Sequence, residues 1–441
     1  MEFEHFESQY PVDSRKREID ELLSYIKEGN SVQLLGLPGY GRSNVLRFLT
    51  YSSAIRKAHL GKENEKTHFV LIDFSEVRKR SLFDVTKFFF LCLSDSLLER
   101  QLQEEYEKVY ALFKEALVLQ DELLLFQALK QAVDYLATEK GMTIVFLFDR
   151  FDEYIPMLTS EFFTNLRSLR DRVKYQFSIV FALSRPLEEC IEADLLADFY
   201  EFVTGHLVYL SLQDEVSLSF RLSYLEKITS KSLSSQQKAE LLQLTGGHGR
   251  LMRICAESLL AAPQEEDVRR YVLSQKTVQD ALKKIWKTLS PSEQHVLSHT
   301  SSSPSDSTKD YLIRIGLLRE NTLTIPLLES FLEEHKKEDD KPQTIFFDEN
   351  TQEIKKGDVV LSDGLTSLEY RLLVFFLHNS ERILDREEII QAIWEENKSI
   401  AGVTDQALDQ LIFRLRKKIE DNPNAPSHLV TVKGRGFKFS I

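Results

Sequence analysis

The segment from Val32 to Leu46 constrains the fold of this chain more than any other. A short apolar run leads into a glycine-rich turn, and apolar residues at helical spacing follow the turn. Such a turn points its backbone N–H groups inward, and the N-terminus of the helix behind it adds donors and a partial positive charge. We therefore expect a buried strand, a phosphate-binding loop and a helix. A Gly-Pro turn without a ligand is the alternative.

The loop has the spacing of a nucleotide phosphate loop but departs from it at one residue. Gly36, Gly41 and Ser43 fit G-x-x-x-x-G-K-S/T, and Arg42 stands at the lysine position. Lysine is a compact charge, whereas arginine is a wide planar fork with a different reach. We predict that the loop binds a nucleotide and hydrolyses it very slowly. The predicted nucleotide-binding residues of the loop are Gly36, Gly39, Gly41, Arg42, Ser43 and Asn44.

A second apolar run, residues 143–149, ends in Asp149. A carboxylate at the C-terminal end of a parallel strand can hold Mg²⁺ beside a phosphate loop. Ser43 and Asp149 are therefore the predicted Mg²⁺ ligands, and a buried strand that merely ends in Asp is the alternative. Arg150 follows, where a hydrolytic site often has a water-orienting glutamate. We expect at most a slow ATPase, with catalytic candidates Asp149, Asp152 and Glu153.

Two further features lie beyond this strand. The apolar run 177–183 is followed by Ser184 and Arg185, and an arginine at this place can sense a γ-phosphate. The alternation of apolar strands with helices predicts an α/β fold with a doubly wound parallel sheet over about residues 10–205. Gly246-Gly247-His248 allows a tight turn before a helix. By itself such a histidine more often has a structural role than binds a ligand.

Bulk composition limits the classes open to the chain. Its 441 residues suit about three domains. The net charge of -13 argues against indiscriminate polyanion binding, so a nucleic-acid contact requires a local basic patch. Three scattered cysteines indicate neither a metal site nor disulfides. The acidic N-terminus lacks a secretory signal and the apolar runs are too short for a membrane span, so we expect a cytoplasmic protein without a membrane anchor.

Taken in order, the N-terminal features resemble one family over about residues 10–270. The features are the Ser14–Glu18 opening, the altered phosphate loop, the two strand ends at Asp149 and Arg185, and Gly246-Gly247-His248. Their order is that of the STAND class of signal-transducing P-loop ATPases, which is similar to archaeal-type ATPases and more distantly to origin-binding ATPases. The resemblance implies ATP or ADP with Mg²⁺, a nucleotide-driven switch, and contact of His248 with a phosphate. Gly249-Arg250 departs from the proline usual after this histidine.

Helix starts and charged stretches suggest how the chain is divided. Ser290-Pro291-Ser292-Glu293 is a helix start within a small helical module that has no basic face. We read this module as a packing domain. The predicted domains are an α/β P-loop domain at 1–205, a helical lid at 206–270, a winged-helix-like packing module at 271–336, a linker at 337–343 and a C-terminal domain at 344–441.

The C-terminal segment combines an amphipathic helix with a basic hairpin. From about Asp405 a helix has apolar residues on one face, namely Leu408, Leu411, Ile412, Leu415 and Ile419. Its opposite face has Gln406, Gln410, Phe413, Arg414 and Lys417. Two strands around a glycine-rich turn follow. Residues 405–441 hold seven Lys and Arg against four Asp and Glu, a local net charge of +3. A solvated, charged helix end is the alternative.

Over about residues 343–441 the chain resembles the winged-helix DNA-binding domain of OmpR/PhoB-type response regulators. The matching residues are Leu365-Thr366, Glu369-Tyr370, Asp385-Arg386-Glu387, Arg414-Leu415-Arg416-Lys417 and Gly434-Arg435-Gly436-Phe437. The resemblance implies a DNA-binding set of Gln406, Gln410, Phe413, Arg414, Arg416, Lys417, Thr431, Lys433 and Arg435. Those regulators carry a receiver domain that this chain lacks, so the ATPase-like part is the predicted source of input.

Together these features predict a nucleotide-regulated, sequence-specific protein that binds double-stranded DNA, most simply a transcription regulator. An ATPase that works mechanically on DNA, such as a replication- or transposition-type loader, is the alternative from another class. A STAND-type defence or signalling hub is a third hypothesis. A homo-oligomer or a protein partner stays open.

Overall fold

Contacts divide the chain into two compact units, Met1–Glu333 and Glu334–Ile441, and each unit is described by itself. The structure is a computed structural model. It describes residues 5–212, 215–262, 264–265, 267–298, 306–320, 322–339, 345–349, 351–356, 359–362, 365–394, 405–420, 426–432 and 434–440. Among these residues no helix is both long and apolar enough to cross a membrane.

A five-stranded parallel sheet forms the centre of the N-terminal unit. Its strands are β1 (Val32–Leu35), β2 (Thr67–Asp73), β3 (Thr143–Asp149), β4 (Phe177–Leu183) and β5 (Leu207–Tyr209). They lie in the order β2-β3-β4-β1-β5, and every neighbouring pair is parallel. Continuous apolar sequences suit these strands because both faces of a parallel sheet are covered. The predicted doubly wound α/β sheet is confirmed.

The strand order brings the sequence features that were predicted to bind nucleotide to one edge of the sheet. Leu35 at the end of β1 is paired with Leu183 at the end of β4, and Asp149 at the end of β3 is paired with Asp73. After β1 the chain crosses to β2 at the far edge of the sheet, so the direction in which strands are added reverses beside β1. Ligands of such sheets bind outside the C-terminal ends of the strands at this point. The glycine-rich loop and Asp149 therefore face a common crevice.

Ten helices pack around this sheet among the described residues. They are α1 (Lys16–Lys27), α2 (Arg42–Tyr51), α3 (Ser53–Leu60), α4 (Leu82–Glu99), α5 (Gln103–Leu119), α6 (Glu122–Asp134), α7 (Ser160–Val173), α8 (Leu187–Cys190), α9 (Ala193–Leu196) and α10 (Tyr200–Val203). Successive strand residues enter the cores on opposite faces, as the strand period of two requires. Phe69 belongs to one core, and Val70 and Ile72 belong to the other.

Helices complete the N-terminal unit after β5. They are α11 (Glu215–Thr229), α12 (Ser235–Thr245), α13 (Gly249–Ala261), α14 (Val268–Ser274), α15 (Lys276–Lys287), α16 (Pro291–Ser298), α17 (Asp306–Arg314) and α18 (Pro326–Asp339), with a hairpin of β6 (Leu318–Arg319) and β7 (Thr322–Leu323) before α18. The residues of α18 up to Glu333 belong to this unit. Gly246 ends α12 at a φ of 55°, and a Cβ there would lie 1.9 Å from the Thr324 carbonyl oxygen. Only glycine permits this close approach.

The C-terminal unit is a winged helix preceded by a small sheet. Its elements are β8 (Ile345–Asp348), β9 (Glu353–Lys356), β10 (Val359–Val360), α19 (Ser367–His378), β11 (Ile383–Leu384), α20 (Arg386–Trp394), α21 (Asp405–Ile419), β12 (Leu429–Val432) and β13 (Gly436–Phe439). The two antiparallel sheets have the orders β10-β9-β8 and β11-β13-β12. A capping box of Thr366 and Glu369 begins α19.

Candidate nucleotide cleft and nucleic-acid interface

The loop after β1 packs closely against the start of α13. Gly39 and Gly41 have φ values of 97° and 103°, in the left-handed region that favours glycine. A Cβ on Gly39 would lie 2.6 Å from Cε1 of His248 and 2.9 Å from Cβ of Arg250. The Arg250 N–H also donates to the Gly39 carbonyl, at 3.1 Å. The loop shape therefore depends on glycine and on the segment after Gly247.

Ser43 and Asp149 meet directly at the bottom of the crevice. The Ser43 hydroxyl donates to Oδ1 of Asp149 at 2.8 Å. Asp149 is 2% exposed, and its Oδ2 is buried without a hydrogen-bond partner. Burial raises the pKa of the Asp149 carboxyl, which the Ser43 hydrogen bond partly offsets. An orphaned carboxylate oxygen beside a hydroxyl fits Mg²⁺ because this ion takes one or two protein ligands and completes its shell with water and phosphate.

Arg42 and Asp152 form an ion pair across the crevice. Nη1 of Arg42 lies 3.0 Å from Oδ2 of Asp152. The same carboxylate accepts hydrogen bonds from the Ser184 N–H at 3.1 Å and from the Ser184 hydroxyl at 2.9 Å. Asp152 therefore joins the start of α2 to the end of β4. Both oxygens of Asp152 already accept hydrogen bonds, and its catalytic role stays a prediction.

The residues beside Asp152 are also engaged in contacts. Arg150 adopts a left-handed φ of 54°, and its Nη1 donates to the Ser75 hydroxyl at 3.0 Å. It also lies 3.7 Å from the carboxylate of Asp73. Glu153, the other catalytic candidate, forms an ion pair with Arg78. A water-orienting carboxylate at this strand end would have to leave an ion pair first.

Arg185 points to a helix of the same unit rather than into the crevice. Its two terminal nitrogens donate to the two carboxylate oxygens of Glu293, each at 2.5 Å. The guanidinium also lies 4.6 Å from the ring centroid of Tyr311, whose hydroxyl donates to the Ser184 carbonyl at 2.8 Å. The hydrogen bond to Glu293 raises the pKa of Arg185 despite its partial burial. The predicted γ-phosphate sensor is thus held by α16 in this conformation.

His248 lies behind the loop and not among the residues that line the crevice. It is 1% exposed, and its Nδ1 accepts the Leu251 N–H at 3.1 Å, which caps the start of α13. Burial lowers the pKa of His248 to about 4, so the ring is neutral near pH 7. Its Nε2 is buried and has no well-formed hydrogen bond. The structure gives this residue a supporting position, and its contact with a phosphate stays a prediction.

The crevice opens into a cleft of about 510 Å³ that is rich in positive charge. Its cations are Arg42, Arg150, Arg221, Arg250, Arg253 and Lys284, against the acids Asp152 and Glu153. Gly39, Gly41, Ser43 and Asn44 also line it. Sequence reasoning missed Arg221, Arg253 and Lys284, which come from α11, α13 and α15. The one indication in the sequence was the three-residue spacing of Arg250 and Arg253, which places both on the same face of a helix. A concave surface with a net positive charge attracts anions such as phosphates.

In the C-terminal unit, α21 has one buried face and one exposed face. Leu408, Leu411, Ile412, Leu415 and Ile419 are buried, as predicted. Gln410, Phe413, Arg414 and Lys417 are exposed and share the opposite face because they are three or four residues apart. The side chain of Gln406 lies outside the described residues. The exposed face thus offers two cations, an amide and an aromatic ring to a ligand.

Arg416 lies on a different side of α21 from the predicted interface. Its Nε and Nη2 donate to the Leu429 carbonyl at 2.9 and 2.7 Å, and Nη2 donates to the Thr431 hydroxyl at 2.8 Å. Arg416 and Thr431 therefore join α21 to β12. These hydrogen bonds give both residues a structural role, and the DNA contacts that the sequence resemblance implied for them stay a prediction.

The turn between β12 and β13, with the ends of these two strands, forms the wing of the winged helix. It presents a further cation beside a groove. Arg435 is exposed in the turn between β12 and β13, and Lys433 lies outside the described residues. Gly436 has a φ of 120°, and a Cβ there would lie 2.0 Å from the Leu384 carbonyl oxygen. A groove of about 490 Å³ runs between this turn and the start of α20, with Arg386 and Arg435 in its lining. Asp385 and Glu387 also line the groove, and Arg386 is paired with Asp409 at 2.7 Å, so Arg435 is the more available of the two cations.

Comparison with known proteins identifies the C-terminal domain. Residues 364–439 match the family Transcriptional regulatory protein, C terminal. Regulatory protein VirG of Rhizobium rhizogenes is 34% identical over 103 residues, which are 22% of this chain and 41% of that protein. Sensory transduction protein RegX3 of Mycolicibacterium smegmatis is 43% identical over 70 residues, which are 16% of this chain and 29% of that protein. The chain spans less than half the length of these curated relatives.

A solved structure is similar over much of the chain. The Walker-type ATPase PABY2304 of Pyrococcus abyssi covers 81% of this chain and 97% of its own, with 16% sequence identity and a TM-score of 0.41. At this TM-score we infer nothing from the likeness alone. The parallel sheet in the order β2-β3-β4-β1-β5 and the glycine loop after β1 themselves form the predicted P-loop ATPase-like α/β unit. The predicted fusion of such a unit to an OmpR/PhoB-type winged helix is confirmed.

Proposed function

We propose that this protein is a nucleotide-regulated, sequence-specific DNA-binding protein that acts as a transcription regulator. The observation that carries the proposal is the exposed face of α21, with Gln410, Phe413, Arg414 and Lys417, in a domain that matches the C-terminal part of transcriptional regulatory proteins. A helix of this kind enters the major groove, where side chains read base edges.

The charges of the C-terminal unit suit the two classes of contact that DNA offers. Arg414 presents a guanidinium fork that fits O6 and N7 of guanine, and such a pair distinguishes bases. Lys417 beside it and Arg435 in the wing suit phosphates, which position the protein without reading sequence. The acidic remainder of the chain offers no advantage for non-specific binding. DNA contact is therefore assigned to this face.

The N-terminal unit supplies the proposed control. The backbone N–H groups of the loop and of the start of α2 would hold phosphates, Ser43 and Asp149 would hold Mg²⁺, and the cleft cations would neutralise the remaining charge. When bound, the metal-nucleotide supplies phosphate charge and a divalent cation to this cleft. The orphaned Oδ2 of Asp149 supports the fit.

Several contacts favour a switch over a motor. Arg42 is paired with Asp152, Glu153 with Arg78, and Arg150 occupies the position after Asp149. A loader that works on DNA needs sustained turnover in the ordinary enzyme range of about 1–1000 per second. Slow hydrolysis with retained binding fits the regulator, and turnover of about 1 per second or faster would favour the loader instead.

Arg414→Ala tests the DNA assignment. On an operator selected from random sequences, loss of a bidentate base contact should cost about 1–3 kcal/mol, and much less on a scrambled duplex. Arg319→Ala is the matched control, because Arg319 is an exposed arginine of the N-terminal unit. Fluorescence anisotropy with the full chain gives both affinities. Equal losses on both duplexes would reduce Arg414 to a phosphate contact, and absence of any sequence preference in the parent protein would refute the proposal.

A further inference from the structure

Phe413 occupies the middle of the exposed face of α21 and is not needed by the core. Its side chain is 48% exposed, although most phenylalanines of the chain are buried. The apolar core of the C-terminal unit is formed by other described residues, including Leu411, Ile412 and Leu415 from the same helix. Leaving so much of an aromatic ring in water forgoes burial that would stabilise the fold. Exposure alone is not evidence of a ligand, because Phe346 is 44% exposed as well, so the residues around the Phe413 ring carry the argument.

The neighbours of the ring are polar and suited to a polyanion. Nζ of Lys417 lies 4.7 Å from the ring centroid of Phe413, and Arg414 and Gln410 are exposed beside it. A cation over the ring holds its orientation. An apolar protein partner would have to bury these two cations and the amide with the ring, which is costly without acidic partners. Charge complementarity favours DNA as the occupant.

The major groove presents one apolar group, the C5-methyl of thymine, and phenylalanine is among the side chains that contact it. We infer that Phe413 reads a thymine methyl in the operator, next to the guanine proposed for Arg414. This inference rests on the proposed DNA-binding function and adds a base to it. Successive residues of a helix rise about 1.5 Å and successive base pairs about 3.4 Å, so neighbouring side chains reach the same or adjacent base pairs.

Replacing thymidine by deoxyuridine tests the inference, because the bases of these two nucleosides differ only by the C5-methyl group. The full chain is first used to select an operator, and each thymine is then replaced in turn. Burial of one methyl is worth about 0.8 kcal/mol, so one replacement should weaken binding by the parent protein about three- to fivefold. Phe413→Ala should bind the two duplexes equally. Phe413→Leu should retain part of the difference.

Phe346→Ala is the matched control. Phe346 is 44% exposed in β8 of the same unit and lies outside the α21 face, so this variant should keep the parent ratio. A parent protein that prefers its operator but ignores every methyl overturns the inference and leaves the proposed function intact. A methyl effect that persists in Phe413→Ala overturns it as well. If the parent protein shows no sequence preference, the proposed sequence-specific DNA binding is itself refuted.

Discussion

Ser43 and Asp149 form the contact on which metal and nucleotide binding are proposed to depend. The hydroxyl of Ser43 donates to Oδ1 of Asp149, which leaves Oδ2 buried without a partner. A buried carboxylate oxygen without a hydrogen bond costs stability, and an incoming cation or its water would relieve that cost. The same two residues therefore account for a local loss of stability in the free protein and for the proposed affinity for Mg²⁺.

Ser43→Ala is expected to weaken binding of Mg²⁺-nucleotide about ten- to a hundredfold, the scale of a lost hydrogen bond or ligand to a charged group. Titration with a fluorescent nucleotide measures the affinity with Mg²⁺ and with EDTA. Because the loss acts through the metal, parent and variant should differ little in EDTA. Ser53→Ala removes an exposed hydroxyl at the start of α3 and serves as the control. Equal affinity of Ser43→Ala and the parent protein in Mg²⁺ would contradict the site.

The contact between the end of β4 and α16 joins the nucleotide edge of the sheet to the helical part of the N-terminal unit. Arg185 forms a two-pronged ion pair with Glu293, and Glu293 also accepts the Ser290 N–H at 2.8 Å as part of the helix cap. Tyr311 adds its hydrogen bond to the Ser184 carbonyl. If a γ-phosphate competes with Glu293 for Arg185, the cap of α16 changes with the nucleotide.

Arg185→Ala is expected to increase hydrogen exchange in residues 291–298, because removing Arg185 leaves the buried Glu293 without its counter-ion. The loss should be about 1.5–3 kcal/mol in local stability, the scale of a hydrogen bond to a charged group. Arg185→Lys should be intermediate, since lysine lacks the planar fork. Arg167→Ala breaks exposed pairs with Asp171 and Asp198 and should leave this segment unchanged. Unaltered exchange in Arg185→Ala would show that the ion pair does not hold α16.

At the scale of the whole molecule, the proposal requires that nucleotide binding to the N-terminal unit changes the free energy of DNA binding by the C-terminal unit. A switch works only if its ligand binds the two states of the protein differently. The chain has a net charge of -13, whereas the α21 face and the wing carry local positive charge. Nucleotide binding must therefore change the DNA affinity of this small surface. The size of that change is a coupling free energy that can be measured.

We expect the affinity for the selected operator to differ between the apo, ADP and ATP forms by about 5- to 150-fold, which corresponds to about 1–3 kcal/mol. Ser43→Ala should keep operator binding and lose most of this difference. Because coupling is reciprocal, the operator should change nucleotide affinity by the same factor. Anisotropy with labelled operator and with labelled nucleotide measures both directions. Equal operator affinity in all three forms would leave the N-terminal unit as a scaffold.

Local sequence was sufficient for features that depend on neighbours along the chain. The glycine loop, the acid at the end of β3, the capping boxes and the buried face of α21 follow from turn geometry, helix capping and hydrophobic periodicity. These forces act over a few residues, so a single sequence shows them. The parallel sheet and the positions of Ser43 and Asp149 could be predicted for this reason, whereas the winged helix was predicted from its resemblance to a known family.

Tertiary structure alone decided which side chain each charged residue contacts. Arg185 is paired with Glu293, which is 108 residues away, and Arg42 with Asp152, which is 110 residues away. Arg416 is bound to the Leu429 carbonyl, which is 13 residues away. The cleft also gathers Arg221, Arg253 and Lys284 from three helices. A long, flexible charged side chain has many partners within reach, and its choice depends on which distant elements the folded core brings together.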